Sequence, residues 1–290
     1  MKLSKPFIIF YIFVVYIFIQ FGWWAYLIYE NLENKVWMVI GEGSVFLILL
    51  ILGVYITHRA FKKEVALSHQ QKNFLMAVTH ELKSPLASIK LHLQTLLKRN
   101  LDKNKNEYII STAINDTDRL TILVDNILLS TYIDNSTYPV EKQRVNLSAF
   151  ISDFVNKKTN DADISHKLSL SIEPEIYFNA QEMSLVSILQ NLLENAFKYS
   201  PENSTITIAL KKINNTIILS IGDEGDGIAD EEKQNIFKKF YRMGNEITRK
   251  SKGTGLGLYI VKYLVEKHNG YISVKDNSPK GSIFEVAFKI

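Results

Sequence analysis

Apolar residues are densest at the start of the chain, where two long runs contain almost no charge. Residues 7–29 form an uncharged stretch of 23 residues, long enough to cross the roughly 30 Å hydrocarbon layer of a bilayer as a helix. Residues 36–57 form a second run, and its one charge is Glu42. The pattern predicts two membrane-spanning helices; the alternative is a buried helical hairpin of a soluble protein.

The basic residues that flank the two runs predict their orientation. Lys2 and Lys5 precede the first run, and residues 58–63 add one histidine and three lysines or arginines, whereas the loop at residues 30–35 has two acids and one lysine. By the positive-inside rule, both termini are expected in the cytoplasm. We therefore expect a multi-pass protein of the cytoplasmic (inner) membrane, with the lipid bilayer as a partner. Glu42 is expected either to act within the membrane or to reach the nearby interface.

Beyond residue 60 the apolar positions recur at alternating steps of three and four, the spacing of amphipathic helices in bundles. One stripe precedes residue 100 and a second follows it. Two such helices bury little surface alone, so the pattern predicts a homodimer in which two copies form a four-helix bundle. The stripes contain Phe74, Val78, Leu82, Pro85, Ile89, Leu93 and Leu96, then Ile110, Ala113, Thr117, Leu120, Val124 and Ile127.

His80 lies on the opposite side of the first of these helices. At 100° per residue it falls roughly 190° from the centre of the apolar stripe, so we expect an exposed imidazole. Neutral imidazole is a good nucleophile near neutral pH. Glu81 places a carboxylate beside it, and Pro85 predicts a bend one turn further on. On this pattern alone, a plain surface histidine is the alternative.

Residues 139–290 alternate between helical and extended patterns after a short polar linker near Pro139. Strands that occur in sequential pairs beside helices predict an α/β sandwich with a mixed sheet. Helices are expected at residues 150–158, 181–199 and 256–268, and strands at residues 168–172, 205–210, 216–221, 271–275 and 283–288.

Three polar residues share one narrow face of the helix at residues 181–199. Asn191, Asn195 and Lys198 stand at i, i+4 and i+7, apart from the apolar face. Because asparagine is a weak helix former, the alignment suggests a task. Amide oxygens suit Mg²⁺, and a lysine suits phosphate groups. A solvated polar face is the alternative for this helix taken alone.

Two glycine-rich segments follow that helix. In the first, Asp223 is followed by Gly225 and Gly227; a buried carboxylate there can accept a hydrogen bond from an adenine amine, and glycine lets the backbone approach the base. The second, residues 252–257, is a turn that opens a helix, where free N–H groups and the helix dipole bind anions. The fixed order of the three elements indicates an ATP site.

Together these segments resemble the sequence boxes of two-component sensor histidine kinases. The resemblance covers residues 73–290, and the five boxes are the H-box at 79–86, the N-box at 191–198, the G1 box at 223–227, the F-box at 236–242 and the G2 box at 253–257. It implies a multi-domain fold. The expected parts are a transmembrane hairpin in residues 1–60, a dimeric phosphotransfer and four-helix-bundle domain in residues 61–138, and a Bergerat (GHKL) α/β sandwich in residues 139–290.

The resemblance also implies roles for single residues. His80 is implied to take the γ-phosphoryl group of ATP, with Glu81 as acceptor or general base, and to pass it to an aspartate of a separate response regulator. Ser84 stands where the family usually has Thr or Asn for dephosphorylating that partner. Asn195 is implied to ligate Mg²⁺ and Asp223 to hold adenine, under a mobile lid at residues 230–251. The other implied nucleotide-binding positions are Asn191, Lys198, Tyr199, Gly225, Gly227, Arg242, Lys252, Gly253, Thr254, Gly255, Leu256 and Gly257.

Composition excludes some functions and leaves three alternatives open. The formal net charge of +4 is too small and scattered to predict nucleic-acid binding, and without cysteine there is neither a disulfide nor a thiolate metal site. The alternatives are an ATPase or Ser/Thr kinase of the same fold, a non-catalytic scaffold, and a member dominated by phosphatase activity. The adjacent His80 and Glu81 argue against the first and the intact ATP motifs against the second. The balance of transfer and dephosphorylation on the cognate regulator decides the third.

Overall fold

The structure, a computed structural model, describes residues 5–29, 36–99, 101–134, 141–161, 166–243 and 253–289. The chain forms two compact units, Met1–Lys72 and Asn73–Ile290. Helix α2 contributes to both of them, because it spans Val36–Lys98 without interruption.

The first unit contains helix α1, Lys5–Tyr29, and the beginning of α2. Within the described residues one helix, Ile40–Lys98, contains a window of membrane-spanning length with a mean hydropathy of 2.0, and none of that window is buried. The apolar part found in α1, Val14–Tyr26, is shorter. One apolar helix of membrane length is therefore present, and the complete two-span hairpin stays a prediction.

The helical part of the second unit consists of the rest of α2 and of α3, Lys103–Asp134. Asp102 caps α3, because its carboxylate accepts a hydrogen bond from the backbone N–H of Lys105 at 2.8 Å. Helix α2 continues through Pro85, so the predicted bend does not end the helix. In a single chain Ile110 remains 46% exposed and Val124 44% exposed. The described part of a single chain therefore does not cover these two members of the second stripe.

The rest of the second unit is an α/β sandwich, as predicted. Its five-stranded sheet has the order β2–β4–β5–β7–β6, with β2 and β4 parallel and the other pairs antiparallel. The strands are β2 Lys167–Ile172, β4 Thr205–Ile213, β5 Thr216–Gly222, β6 Gly270–Asp276 and β7 Ser282–Lys289. A second sheet, which the sequence pattern did not predict, pairs β1 Gln143–Asn146 with β3 Tyr177–Ala180.

Helices α4 Leu147–Asp161, α5 Glu182–Tyr199 and α6 Gly257–Lys267 complete the sandwich. Their apolar residues, such as Ile151, Leu189 and Ile260, are buried together with the alternate residues of the sheet, such as Ile208 and Ile217. Several elements extend beyond the predicted bounds because pairing continues past the apolar core. Strand β4, for example, reaches Ile213, which pairs with Thr216 across a tight turn.

Candidate functional site

His80 is exposed on helix α2, as the apolar stripe predicted. Glu81 beside it is half-buried, and Ser84, one turn further on, is exposed. In the described residues the stripe members Phe74, Val78, Leu82 and Ile89 are half-buried on the other side of the helix. The imidazole is thus open to a partner that approaches from outside the bundle. The roles of Glu81 and Ser84 stay predictions.

Asp223 follows the end of strand β5 and is only 5% exposed. Its Oδ1 accepts hydrogen bonds from the backbone N–H groups of Gly225, at 2.9 Å, and Ser282, at 3.2 Å. Burial raises the pKa of Asp223 above its ordinary value, and the two backbone donors, which favour the carboxylate, offset this only in part. The carboxyl group is therefore fixed in direction, and Oδ2 is left to meet a donor.

The turn between β6 and β7 supports Asp223 from behind, which sequence reasoning missed. The Asn277 side-chain amide donates to the Asp223 carbonyl at 2.8 Å, and the backbone N–H of Asp223 donates to the carbonyl of Ser282 at 2.8 Å. Gly281 has a φ of +117°, and a Cβ on it would lie 1.9 Å from the Asp223 carbonyl oxygen. The sequence signal for this contact is the Gly281-Ser282 pair at the start of the last strand, which lies almost sixty residues from Asp223 in the chain.

One residue of the predicted polar face of α5 is buried. Asn191 is 7% exposed, and its side-chain amide donates to the backbone carbonyl of Ser187 at 2.9 Å. A Cβ on Gly257 would lie 2.5 Å from Asn191 Oδ1, so the start of α6 packs directly on this asparagine. The alternative of a solvated polar face is therefore excluded for Asn191, because tertiary contact covers it, and the role of Asn191 at a nucleotide stays a prediction. Asn195 remains half-buried and Lys198 exposed.

The segment around Gly253 meets the end of α5. A Cβ on Gly253, which has a φ of +143°, would lie 2.8 Å from Lys198 Nζ. Lys198 Nζ also lies 4.8 Å above the ring of Tyr199, and the backbone carbonyl of Tyr199 lies 2.5 Å from the position of a Cβ on Gly225. The N-box and both glycine boxes are thus brought together, as the sequence order predicted.

The remaining predicted positions occupy the start of α6 and the loop before it. Leu256 is fully buried in the core, so that only its backbone could face a phosphate; Thr254 is half-buried. Gly255 has a φ of +72°, and its carbonyl accepts a hydrogen bond from the N–H of Phe240 at 3.0 Å. Gly227, in the first glycine box, also has a positive φ, +79°. Lys252 lies outside the described residues.

The F-box packs against the α/β sandwich. Ile236 and Phe237 belong to the hydrophobic core, and Arg242 is half-buried. A Cβ on Gly255 would lie 3.2 Å from Arg242 Cγ, so the arginine lies beside the second glycine box. Residues 230–243 of the predicted lid are therefore structured, and residues 244–251 lie outside the described residues.

The F-box also contacts the helical part of the same unit. The rings of Phe240 and Phe74 lie 4.3 Å apart. Lys239 forms an ion pair with Asp134 and donates to the carbonyl of Ser130 at 3.4 Å. Phe240 adopts a left-handed backbone with a φ of +65°, which costs an L-residue about 1–2 kcal/mol. The contact joins the F-box to α2, which carries His80, and to α3.

Two protein families match this chain. Residues 70–136 match the "His Kinase A (phospho-acceptor) domain" family, and residues 180–290 match the "Histidine kinase-, DNA gyrase B-, and HSP90-like ATPase" family. Together the two ranges cover more than half of the chain. The first range includes His80 and the second includes Asp223 and the segments around it.

Individual relatives agree with these families. Sensor protein KdpD of Clostridium acetobutylicum is 31% identical over 227 residues, which are 77% of this chain and 25% of the relative. Sensor protein CiaH of Streptococcus pneumoniae is 27% identical over 257 residues, 87% of this chain and 57% of the relative. The chain thus spans between a quarter and just over half of these relatives.

Among solved structures, the Acinetobacter baumannii histidine kinase AdeS shares the fold, with a TM-score of 0.52 at 22% identity over 72% of this chain and 97% of that one. A phosphoacceptor helix and a nucleotide-binding sandwich, each matched by its own family, follow one another in a single chain. This protein therefore belongs to the two-component sensor histidine kinases.

Proposed function

We propose that this chain is a membrane sensor histidine kinase that phosphorylates its own His80 with ATP and passes the phosphoryl group to an aspartate of a separate response regulator. The observation that carries the proposal is the combination, in one compact unit, of an exposed imidazole with a buried, directionally fixed carboxylate at Asp223. The first is suited to nucleophilic attack and the second to holding adenine.

The nucleotide would be bound by parts that the structure brings together. Asp223 Oδ1 is taken up by two backbone donors, so Oδ2 would accept the hydrogen bond of the adenine amine. The first N–H groups of α6 and the ammonium group of Lys198 would face the phosphates. Gly253 and Gly257 leave the space next to Lys198 and Asn191 that larger residues would fill.

The donor set of α5 also fits Mg²⁺. Asn195, half-buried and one turn beyond Asn191, would offer an amide oxygen, a ligand type that this cation accepts alongside phosphate oxygens and water. When bound, Mg²⁺ neutralises charge on the transferring phosphoryl group. The role of the protein is to hold the phosphates in line with the attacking nitrogen.

At His80 the reaction needs a neutral imidazole. One ring nitrogen attacks the γ-phosphorus, the bond from that phosphorus to the β,γ-bridging oxygen breaks, and ADP leaves with the electron pair. Glu81 would accept the hydrogen bond of the other ring N–H and stabilise the positive charge that develops on the ring. The resulting phosphoramidate would transfer its phosphoryl group to the regulator's carboxylate.

The membrane arrangement and the dimer belong to the same proposal. Two spans with both ends in the cytoplasm agree with the basic flanks of the apolar runs. A homodimer agrees with the apolar positions of α3, such as Ile110 and Val124, that a single chain leaves exposed. Two copies of the helical pair would cover them as a four-helix bundle.

Labelling the full chain with γ-³²P-ATP tests the proposal. Wild-type protein should acquire acid-labile, alkali-stable label, and His80→Gln should acquire none. His69→Gln is the matched control, because His69 is also an exposed histidine of α2, and it should label normally. Label retained by His80→Gln, or acid-stable label, would contradict the assignment.

Phosphatase activity is the second candidate, because Ser84 places an exposed hydroxyl one turn from His80. If Ser84 positions water for dephosphorylation, Ser84→Ala should retain autophosphorylation and lose dephosphorylation of the cognate phosphorylated regulator. Equal loss of both activities would show that Ser84 acts on the histidine instead.

A further inference from the structure

Helix α1 and the beginning of α2 pack through one antiparallel seam. Tyr16 faces Phe46 with ring centroids 6.4 Å apart, and Gln20 faces Glu42. Four residues forward along α1, from Tyr16 to Gln20, thus correspond to four residues back along α2, from Phe46 to Glu42. Phe46 also contacts Trp24, with centroids 5.7 Å apart. The seam is apolar except where it reaches Glu42.

Glu42 is bonded across this seam to neutral donors. Its Oε1 accepts a hydrogen bond from the indole N–H of Trp23 at 3.2 Å. The side-chain amide of Gln20, which is 9% exposed, lies 3.5 Å from Oε2. The shorter bond, from Trp23, is therefore the principal polar link between the two helices in the described residues.

Trp24 offers a second indole donor at the same level. Its Nε1 is buried and has no hydrogen-bond partner within the described residues. Its Cζ2, on the nitrogen side of the indole, lies 3.7 Å from the position of a Cβ on Gly43, the neighbour of Glu42. A buried donor without a partner is unfavourable. The Glu42 carboxylate is thus bonded to the indole of Trp23, and the next indole of α1, that of Trp24, lies beside Gly43 with an N–H that has no partner in the described residues.

We propose that Glu42 exchanges the Trp23 indole for that of Trp24, and that these two bonded states of the hairpin set the rate of autophosphorylation. The inference rests on the proposed membrane kinase function. Between helices in lipid there is no hydrophobic preference for one apolar contact over another, so a polar contact decides how they face each other. Adjacent residues lie 100° apart on a helix, so the exchange rotates α1 against α2. Helix α2 is the same uninterrupted helix that carries His80.

The test uses the full chain in lipid nanodiscs and measures the initial rate of autophosphorylation. Trp23→Phe removes the bonded donor and favours the Trp24 state, whereas Trp24→Phe leaves only the Trp23 state. The two variants should change the rate in opposite directions, each by about three- to twentyfold, the range expected for one hydrogen bond between membrane helices. Phenylalanine keeps an aromatic ring in both variants, against Tyr26 at position 23 and against Phe46 at position 24.

Substitutions of Glu42 distinguish an exchange of its hydrogen-bond partner from a nonspecific disturbance of the helical hairpin. Glu42→Gln keeps an acceptor oxygen and should retain both tryptophan effects, whereas Glu42→Leu should make both tryptophan changes silent. Ser44→Ala is the control, since among the described residues the Ser44 hydroxyl bonds within α2, to the carbonyl of Ile40, and it should match wild type. Tryptophan variants that shift the rate in the same direction or not at all, or that keep their effects with Glu42→Leu, would overturn the exchange. A wild type that binds ATP without labelling His80 would instead refute the proposed function.

Discussion

Gly281→Ala should weaken nucleotide binding, although Gly281 belongs to none of the predicted sequence boxes. The new Cβ would lie 1.9 Å from the carbonyl oxygen of Asp223 and 2.9 Å from the Cα of Glu224. Both atoms belong to the backbone, so the two segments must move apart by about 1.5 Å to reach ordinary contact. Such a shift stretches two hydrogen bonds of the Asp223 backbone, from its N–H to the Ser282 carbonyl and from the Asn277 side chain to its carbonyl, which both measure 2.8 Å.

The expected magnitude follows from these contacts. Two weakened hydrogen bonds contribute about 1 kcal/mol each, and a left-handed alanine adds about 1–2 kcal/mol. A loss of ~3–4 kcal/mol in the free energy of unfolding should lower the Tm by roughly 6–16 °C. A displaced Asp223 would also lose a charge-assisted hydrogen bond to adenine of ~1.5–3 kcal/mol, which corresponds to about 10- to 100-fold weaker binding.

Isothermal titration of the full chain with a non-hydrolysable ATP analogue, beside differential scanning fluorimetry, measures both quantities. For the stability measurement Gly227→Ala is the matched control, because Gly227 also has a positive φ, +79°, but a Cβ there would approach nothing closer than 3.4 Å. It should show the conformational strain without the clash, and hence a smaller loss of stability. If Gly281→Ala bound the analogue within twofold of wild type at an unchanged Tm, the proposed support of Asp223 by this turn would be refuted.

Three further predictions concern charge and pH. Lys239→Gln should weaken the contact between the F-box and the helices. A double-mutant cycle with Asp134→Asn, measured by the free energy of unfolding, should give a coupling energy of about 0.5–1 kcal/mol for this partly exposed pair. The control is Lys238→Gln, which should show no coupling with Asp134 because Lys238 bonds to nearby Asn235. Because burial raises the pKa of Asp223, the free energy of unfolding of the nucleotide-free protein should rise as the pH falls through that pKa. Binding of the ATP analogue needs the carboxylate and should weaken over the same pH interval. Unfolding and binding measured at about pH 7.5 and 5 compare the two effects. Burial lowers the pKa of His268 below its ordinary 6.5. The contribution of neutral His268 to stability should therefore be complete above pH 6.5 and decline as the pH falls from 6.5 towards the lowered pKa. Denaturant unfolding should show this decline in wild type and a smaller one in His268→Gln.

Local patterns predicted the elements whose residues act near one another in the chain. The exposed side of the helix at His80 followed from apolar spacing, because a helix repeats over a few residues. The boxes around Asn191, Asp223 and Gly253 were likewise readable, since each needs particular residue types at short spacing. Strands β1 and β3 were missed because each is four residues long and they pair across more than thirty residues of chain.

Contacts between distant segments could not be read from these patterns. The spacing placed Asn191 on one narrow polar face of α5, but it could not show that Gly257 packs against this residue. The ion pair of Lys239 with Asp134 joins residues 105 positions apart. Surface charges occur along the whole chain, and only the folded arrangement selects which two of them meet.

The sequence by itself determined the family, the exposed position of His80, the order of the N-box and the two glycine boxes, and the apolar beginning of the chain, because residue type and short spacing carry that information. Only the tertiary structure decided that the turn at Gly281 supports Asp223, that the F-box lies on the helices, and that Glu42 bonds to Trp23 while the indole N–H of Trp24 has no partner in the part of the chain that the structure describes. Those contacts depend on how helices and strands pack in three dimensions. Close packing selects one set of neighbours among many that the same pattern of apolar and polar residues would permit.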